Sequence, residues 1–370
     1  MFRRQWAVAV GVLSLTAGAI SSPAVASGTP ECGAVRTDWK ATAQPHAAPE
    51  AQLNAYSNTG KGWTGADSTY SVQLPGGRTA WIFSDTFLGP VNPDGSRPTT
   101  TPFINNSIVV QQGTSLKTVT GGTPANPTAL LAPPANGWYW IGAAQTSHAG
   151  RYLDVTALRF EKTGPGQWDW HWASNYLARF DSKTLKLRSL TPLPSAANVQ
   201  WSAWLLSDRD YTYIYGVEDL GSSKYQHVAR VRGDDLTAKP WEYWTGSGWS
   251  ADETASARVL EGVANEHSVT RWGDGYLLVT HDTNELFSKR VLGYVSCSPT
   301  GPFVKPVELY QTPETGGNII TYNSHEHPDL RRGNELLVSY NVNSLVSDDL
   351  YADVSIYRPR FLAVTLAAVK

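Results

Sequence analysis

A pair of strands around a tight turn recurs about every 60 residues along this chain. That recurrence restricts the fold more than any other feature of the sequence. In the first copy Tyr70, Val72 and Leu74 alternate with polar residues, which is the period of a strand. Pro75-Gly76-Gly77 is turn chemistry, and Trp81, Ile82 and Phe83 give the return strand its β-prone bulk. Folding the hairpin about Gly76-Gly77 sets Asp85 almost opposite Asp67, at the open end.

Four further copies follow. They run through 137–144 and 152–160, through 200–206 and 211–219, through 265–272 and 276–282, and through 322–330 and 335–343. Outer strands are expected at 106–112, 227–231, 290–295 and 361–366, and no long segment keeps a 3.6-residue apolar period. The reading is all-β, a five-bladed β-propeller of four-stranded units. A pair of β-sandwiches is the alternative, but polar residues at one phase of the repeat fit a radial array better.

In a radial array the innermost strands all begin near one central channel, so the first residues of each repeat should meet there. These are Asp67, Trp138 to Trp140, Trp201-Ser202, Asn265-Glu266-His267, and the stretch from Tyr322 to His327. The ends of the second strands would add Asp85, Glu218-Asp219, His281-Asp282 and Asn341. Two carboxylates flanking a cleft are what glycoside hydrolysis requires, one protonating the leaving oxygen while the other activates water or attacks the anomeric carbon. Asp67 is the expected base or nucleophile and Glu266 the expected general acid. Asp85, beside Asp67, is either the true acid or a modulator, because neighbouring like charges raise one pKa. Glu218 is a fourth candidate.

Sugar contacts are expected from Asn106, Trp140, Trp201 and Tyr322. His267, His325, His327, Asn341 and Arg358 are expected to join them. Residues two apart on a strand share a face, so His325 and His327 have metal spacing around Glu326. A structural calcium ion in the channel is one reading, although calcium prefers oxygen ligands. Histidines hydrogen-bonding a sugar or the channel backbone are the other. No cofactor is required. Glu242 lies in a tryptophan-rich edge hairpin and is read as packing.

Residues 1–26 read as a secretion signal, with Arg3-Arg4, an apolar stretch and Ala24-Val25-Ala26 before the cleavage point. The expectation is an extracellular protein with an arm over 27–60 and the propeller over 61–370. Cys32 and Cys297 could then pair in an oxidising compartment. The 30 Lys and Arg against 32 Asp and Glu leave no basic footprint for nucleic acid or an anionic membrane. The expected partner of this monomer is a polysaccharide, since 15 Trp and 17 Tyr in a charge-poor chain suit flat contacts with sugar rings, beyond those that fill sheet cores.

The motifs Gly65-Ala-Asp67, Ser84-Asp85-Thr86-Phe87, Asn105-Asn106-Ser107, Ser298-Pro-Thr-Gly-Pro-Phe303 and Tyr357-Arg-Pro-Arg-Phe361 resemble secreted five-bladed propellers of the domain-of-unknown-function 4185 group. More distantly the plan is similar to arabinanases and xylosidases of glycoside hydrolase family 43. The resemblance spans roughly residues 60–366. It implies a base at Asp67 and an acid at Glu266. The modulating Asp that family 43 carries on an intermediate blade has no match, Trp138-Tyr-Trp140 standing there instead. Relatives of the 4185 group that cut mycobacterial-type D-arabinan imply an arabinofuranose-containing polymer. Two other classes compete: a non-catalytic carbohydrate-binding propeller, and a polysaccharide lyase using His267, Tyr322 and Arg358.

Overall fold

The computed structural model describes residues 31–166, 169–238 and 240–369, so the expected secretion signal lies outside the described residues. The architecture is mostly antiparallel β. Each recurring hairpin forms and gains outer strands. The first sheet orders Tyr70–Leu74, Arg78–Phe83, Ser107–Gln112 and Ser115–Val119. The second orders Gly137–Ser147, Tyr152–Lys162, Trp170–Asp181 and Leu187–Pro192. The third begins with Gln200–Asp208, Tyr211–Asp219 and Lys224–Arg232 and ends in the hairpin Glu242–Trp244 and Trp249–Ser250. There Glu242 accepts from Arg230 Nε at 2.8 Å. The fourth sheet orders Ser268–Trp272, Gly275–His281, Arg290–Ser296 and Val304–Gln311.

The fifth sheet joins the two ends of the described chain. Its order is Ile319–Glu326, Leu336–Ser344, Arg360–Ala368 and, outermost, Trp39–Pro45. The stretch read as an arm therefore contributes a strand to this sheet, as well as the helix Ala47–Ser57. Cys32 and Cys297 form a disulfide that pins the same stretch to the fourth sheet.

The first strands of successive sheets pack against one another. The ring closes from the fifth sheet to the first through polar contacts. Ser71 Oγ lies 2.8 Å from His327 Nδ1, and the Tyr70 and His325 rings stack with centroids 4.4 Å apart. Tyr70, Val72, Ile141, Val155, Leu205, Ile214, Val269 and Leu278 belong to one continuous buried core. That burial of apolar area between sheets is the main stabilising term.

The first strands of four of the five sheets carry or follow an irregularity, while Ser268–Trp272 pairs regularly. Their ladders slip between Ile141 and Ala144, between Gln200 and Trp204, and between Tyr322 and His325. In the first sheet the equivalent irregularity precedes Tyr70, where Ser68 and Thr69 both take left-handed φ values of 70° and 65°. A bulge lets successive side chains leave the strict alternation of a strand, and each of these bulges borders one cavity.

Candidate active site

That cavity, of about 700 Å³, is lined from all five repeats. The first gives Asp67 and Ser68, the second Trp140, Phe160, Trp170 and Trp172, and the third Gln200, Ser202 and Asp219. The fourth gives Asn265 and Glu266 and the fifth Tyr322. Further along the same strands, Tyr70, Ala143 and Trp204 line a separate cavity of about 480 Å³.

Asp67 is built by the first hairpin. Its backbone N–H donates to the carbonyl of Asp85 at 3.2 Å, and the Ser84 N–H donates to the carbonyl of Asp67 at 3.2 Å. Its Oδ2 accepts two phenol hydrogens, from Tyr322 and Tyr357, each at 2.9 Å. Oδ1 is buried without a hydrogen-bond partner. Burial raises the pKa of this carboxyl, while the two phenols oppose the rise by favouring its ionised form.

The strained pair after Asp67 is held in place. A β-branched residue at positive φ is an outlier, and Thr69 is fastened at three points. Its N–H donates to the Asp67 carbonyl at 3.0 Å, its carbonyl lies 3.2 Å from His325 Nε2, and its hydroxyl accepts from Asn341 Nδ2 at 2.9 Å. The turn aims Ser68 across the cavity, where its hydroxyl donates to Glu266 Oε1 at 2.6 Å. Glu266 Oε2 is buried and unpartnered. Burial and then the charge of Asp67 push the Glu266 carboxyl well above its ordinary range, against the single bond from Ser68.

Asp85 lies behind this front. Its Oδ1 accepts from Asn105 Nδ2 at 2.9 Å and from the Trp140 indole N–H at 2.8 Å. Burial and the charge of Asp67 raise its pKa, and those two donors oppose the rise.

One wall of the cavity is aromatic. Trp140 packs on Phe160 with centroids 4.4 Å apart and meets Trp170 edge-on at 5.2 Å. The facing wall is polar. There Asn265 Nδ2 donates to Asp219 Oδ2 at 2.8 Å, and Lys224 pairs with Asp219 at 2.9 Å.

The structure brings Asp67, Glu266, Trp140 and Tyr322 together in the cavity, with Asp85 directly behind Trp140. The other expected site residues sit elsewhere. Glu218 accepts from Arg258 at 2.7 Å and lies 3.6 Å from His227, and the arginine holds its carboxyl below the usual range. Asn106 is fully buried, donating to the carbonyls of Tyr139 and Leu131. Trp201 is core, its indole N–H capped by Glu253.

The histidines and the arginine likewise lie outside the cavity lining. His267 is buried between the Ala264 carbonyl and Gln226, and burial pulls its pKa down to about 4. His325 and Asn341 clamp Thr69, while His327 bridges Ser71 and Ser339. Arg358 ties Thr64 to Asn54 and Asn58. His325 and His327 have ring centroids 5.3 Å apart; His325 Nε2 and both His327 nitrogens serve hydroxyl or backbone oxygens, while His325 Nδ1 is buried without a partner. Nitrogen donors do not suit calcium, and among the described residues no group of three or more metal-ligating side chains is assembled.

Sequence reasoning missed Tyr357, Ser68, Asn105, Trp170 and Trp172 as site-building residues. Tyr357 and Asn105 stand in quoted motifs, which was the available signal. Trp170 begins an outer strand, and nothing in the repeat marked it.

The family model described as Domain of unknown function (DUF5005) matches residues 50–366. No curated protein matches the sequence. A crystal structure from Bacteroides ovatus described as a "putative hydrolase" is similar in fold, with a TM-score of 0.74 at 22% identity over 91% of this chain and 96% of that one. The catalytic domain of a Coprinopsis cinerea GH62 α-L-arabinofuranosidase aligns with a TM-score of 0.49 at 12% identity, over 90% of this chain and 99% of that one. A GH43_1 enzyme from Xanthomonas citri complexed with xylotriose aligns with a TM-score of 0.46 at 15% identity, over 86% and 93%.

Proposed function

The chain belongs to the family described as Domain of unknown function (DUF5005), and from that premise we propose that it is a glycoside hydrolase acting on a polysaccharide or glycoconjugate. The observation that carries the reading is the cavity itself. Asp67 and Glu266 line one pocket with unequal hydrogen-bonding, two hydroxyl donors on the first and one on the second, and an aromatic wall stands beside them. Two phenol donors favour Asp67 as carboxylate, with Oδ1 left free to act. A single hydroxyl bond leaves Glu266 as the protonated acid. Separating two carboxyls by environment in this way is how one site runs acid and base chemistry together.

In this mechanism the Glu266 proton passes to the glycosidic oxygen as its bond to the anomeric carbon breaks. The carboxylate of Asp67 either takes a proton from water as that water attacks, or attacks the anomeric carbon itself. The Trp140, Phe160 and Trp170 rings hold the sugar by its apolar face.

The ring of five sheets supports a five-bladed propeller as the finer description of the fold. The Cys32–Cys297 disulfide supports export to an oxidising compartment. Arabinofuranose-containing polymers are the first substrates to try. Two residues that a lyase would use, His267 and Arg358, are buried outside the pocket, which disfavours elimination.

The test is a product screen. Purified protein is incubated with arabinans, arabinogalactans and cell-wall polysaccharides, and reducing ends and ultraviolet absorbance are read together. New reducing ends without absorbance, abolished in Asp67→Asn, support the glycosidase. Absorbing products would replace it with a lyase. Binding without products from any polymer would leave a carbohydrate-binding module.

A further inference from the structure

Asp67 and Asp85 each hold their two side-chain donors on a single oxygen. Asp67 receives both hydroxyl hydrogens on Oδ2. Asp85 receives both N–H donors on Oδ1. An amide NH2 and an indole N–H are donors that cannot accept in return. A proton on Asp85 is therefore excluded from Oδ1 and resides on Oδ2. The titratable groups facing Asp85 are Asp67, whose N–H bonds the Asp85 backbone carbonyl, and Tyr357. Asn105 and Trp140, its remaining side-chain partners, do not titrate.

Trp140 also belongs to the cavity wall, whereas Asn105 does not. The indole thus has two jobs in two directions, its ring bordering the pocket and its N–H reaching Asp85 behind. We propose that Asn105 and Trp140 are positioning residues that lock the Asp85 carboxyl through its Oδ1 and hold down its proton affinity, and that Trp140 links this lock to the sugar bound in the cavity. The proposal rests on the glycosidase reading for its sugar, but not for its proton. A sugar that shifts the Trp140 ring changes the bond to Oδ1 and with it the proton affinity of Asp85.

The test uses the full chain labelled with ¹³C at the aspartate carboxyls, the Asp85 resonance being the one missing in Asp85→Asn. Trp140→Phe keeps an aromatic ring and removes the N–H; Asn105→Ala removes the other donor without touching the wall. Each donor favours the ionised form, so the titration midpoint of Asp85 should move up by about one pH unit in each variant. KM for a substrate found in the product screen should stay near the wild-type value in Asn105→Ala and rise several-fold in Trp140→Ala. Addition of a non-hydrolysed oligosaccharide of that substrate should move the Asp85 midpoint in the wild type and not in Trp140→Phe.

An Asp85 midpoint unmoved in both variants overturns the lock, whatever the activity. A midpoint moved by the oligosaccharide equally in wild type and Trp140→Phe overturns the link to sugar. Shifted midpoints in a protein that cleaves no polymer would sustain the lock and remove the glycosidase reading instead.

Discussion

The backbone N–H of Asp67 donates to the carbonyl of Asp85 at 3.2 Å, which sets the two acids opposite each other at the break between two ladders. The pairing continues the register of the hairpin, in which Tyr70 faces Ile82 and Leu74 faces Arg78. Two carboxyls are thereby placed beside each other, and the charge of Asp67 raises the cost of ionising Asp85. One of the two then acquires phenol donors and the other N–H donors, from distant parts of the chain.

Replacing either front carboxyl should stop turnover without unfolding the protein. Asp67→Asn and Glu266→Gln are each expected to lower kcat by about 10²- to 10⁴-fold, the usual range for a positioned acid or base. Circular dichroism and thermal melts check that the variants fold. A variant retaining full kcat removes that residue from the chemistry.

Asp85→Asn should stabilise the protein at alkaline pH. The folded-state pKa of Asp85 is raised by burial and by Asp67, so the native state keeps a proton that the unfolded chain releases. Stability from this group is complete below the unfolded carboxylate pKa and falls as pH rises through the folded one. The amide carries no charge and does not pay that penalty. Tm of the variant should exceed wild type by about 2 °C or more at pH 8, and the gap should close towards pH 4. A gap that is independent of pH contradicts the assignment.

Asn341 and Arg358 should separate by their effects. Asn341→Ala removes a clamp on the left-handed Thr69, next to Ser68 and Asp67, so kcat should fall more than KM rises. Arg358→Ala loosens Thr64, Asn54 and Asn58, and should cost about 1 to 3 kcal/mol of stability with KM unchanged. Denaturant melts and steady-state kinetics on both variants decide this. A KM that rises steeply in Arg358→Ala would return the arginine to substrate binding.

The Cys32–Cys297 bridge spans a sequence separation of 265 and anchors the stretch that supplies the outermost strand of the fifth sheet. Reduction, or a Cys32→Ser/Cys297→Ser double variant, should lower stability by about 2 to 4 kcal/mol. The check is a melt with and without dithiothreitol. Wild type should respond to the reductant and the double variant should not.

The recurring period, the turns and the pairing of Asp67 with Asp85 were legible in the sequence because they are local. Alternation marks a strand, Gly76-Gly77 marks its turn, and the two together set a register. The disulfide was legible because only one pairing exists between two cysteines.

Which rim residues would face the cavity was decided by tertiary structure. His325 and Tyr322 stand three residues apart in one strand, yet Tyr322 reaches Asp67 while His325 is spent on the Thr69 carbonyl. A bulge lies between them, so strict strand alternation does not predict which residues from Tyr322 to His327 line the cavity. Tyr357 reaches Asp67 from 290 residues away, and Asn105, from a bend between strands, meets Trp140 of the second sheet at Asp85. Strand periodicity carries no information about such meetings. They exist only once the sheets have closed into a ring and each buried polar atom has found, or failed to find, a partner.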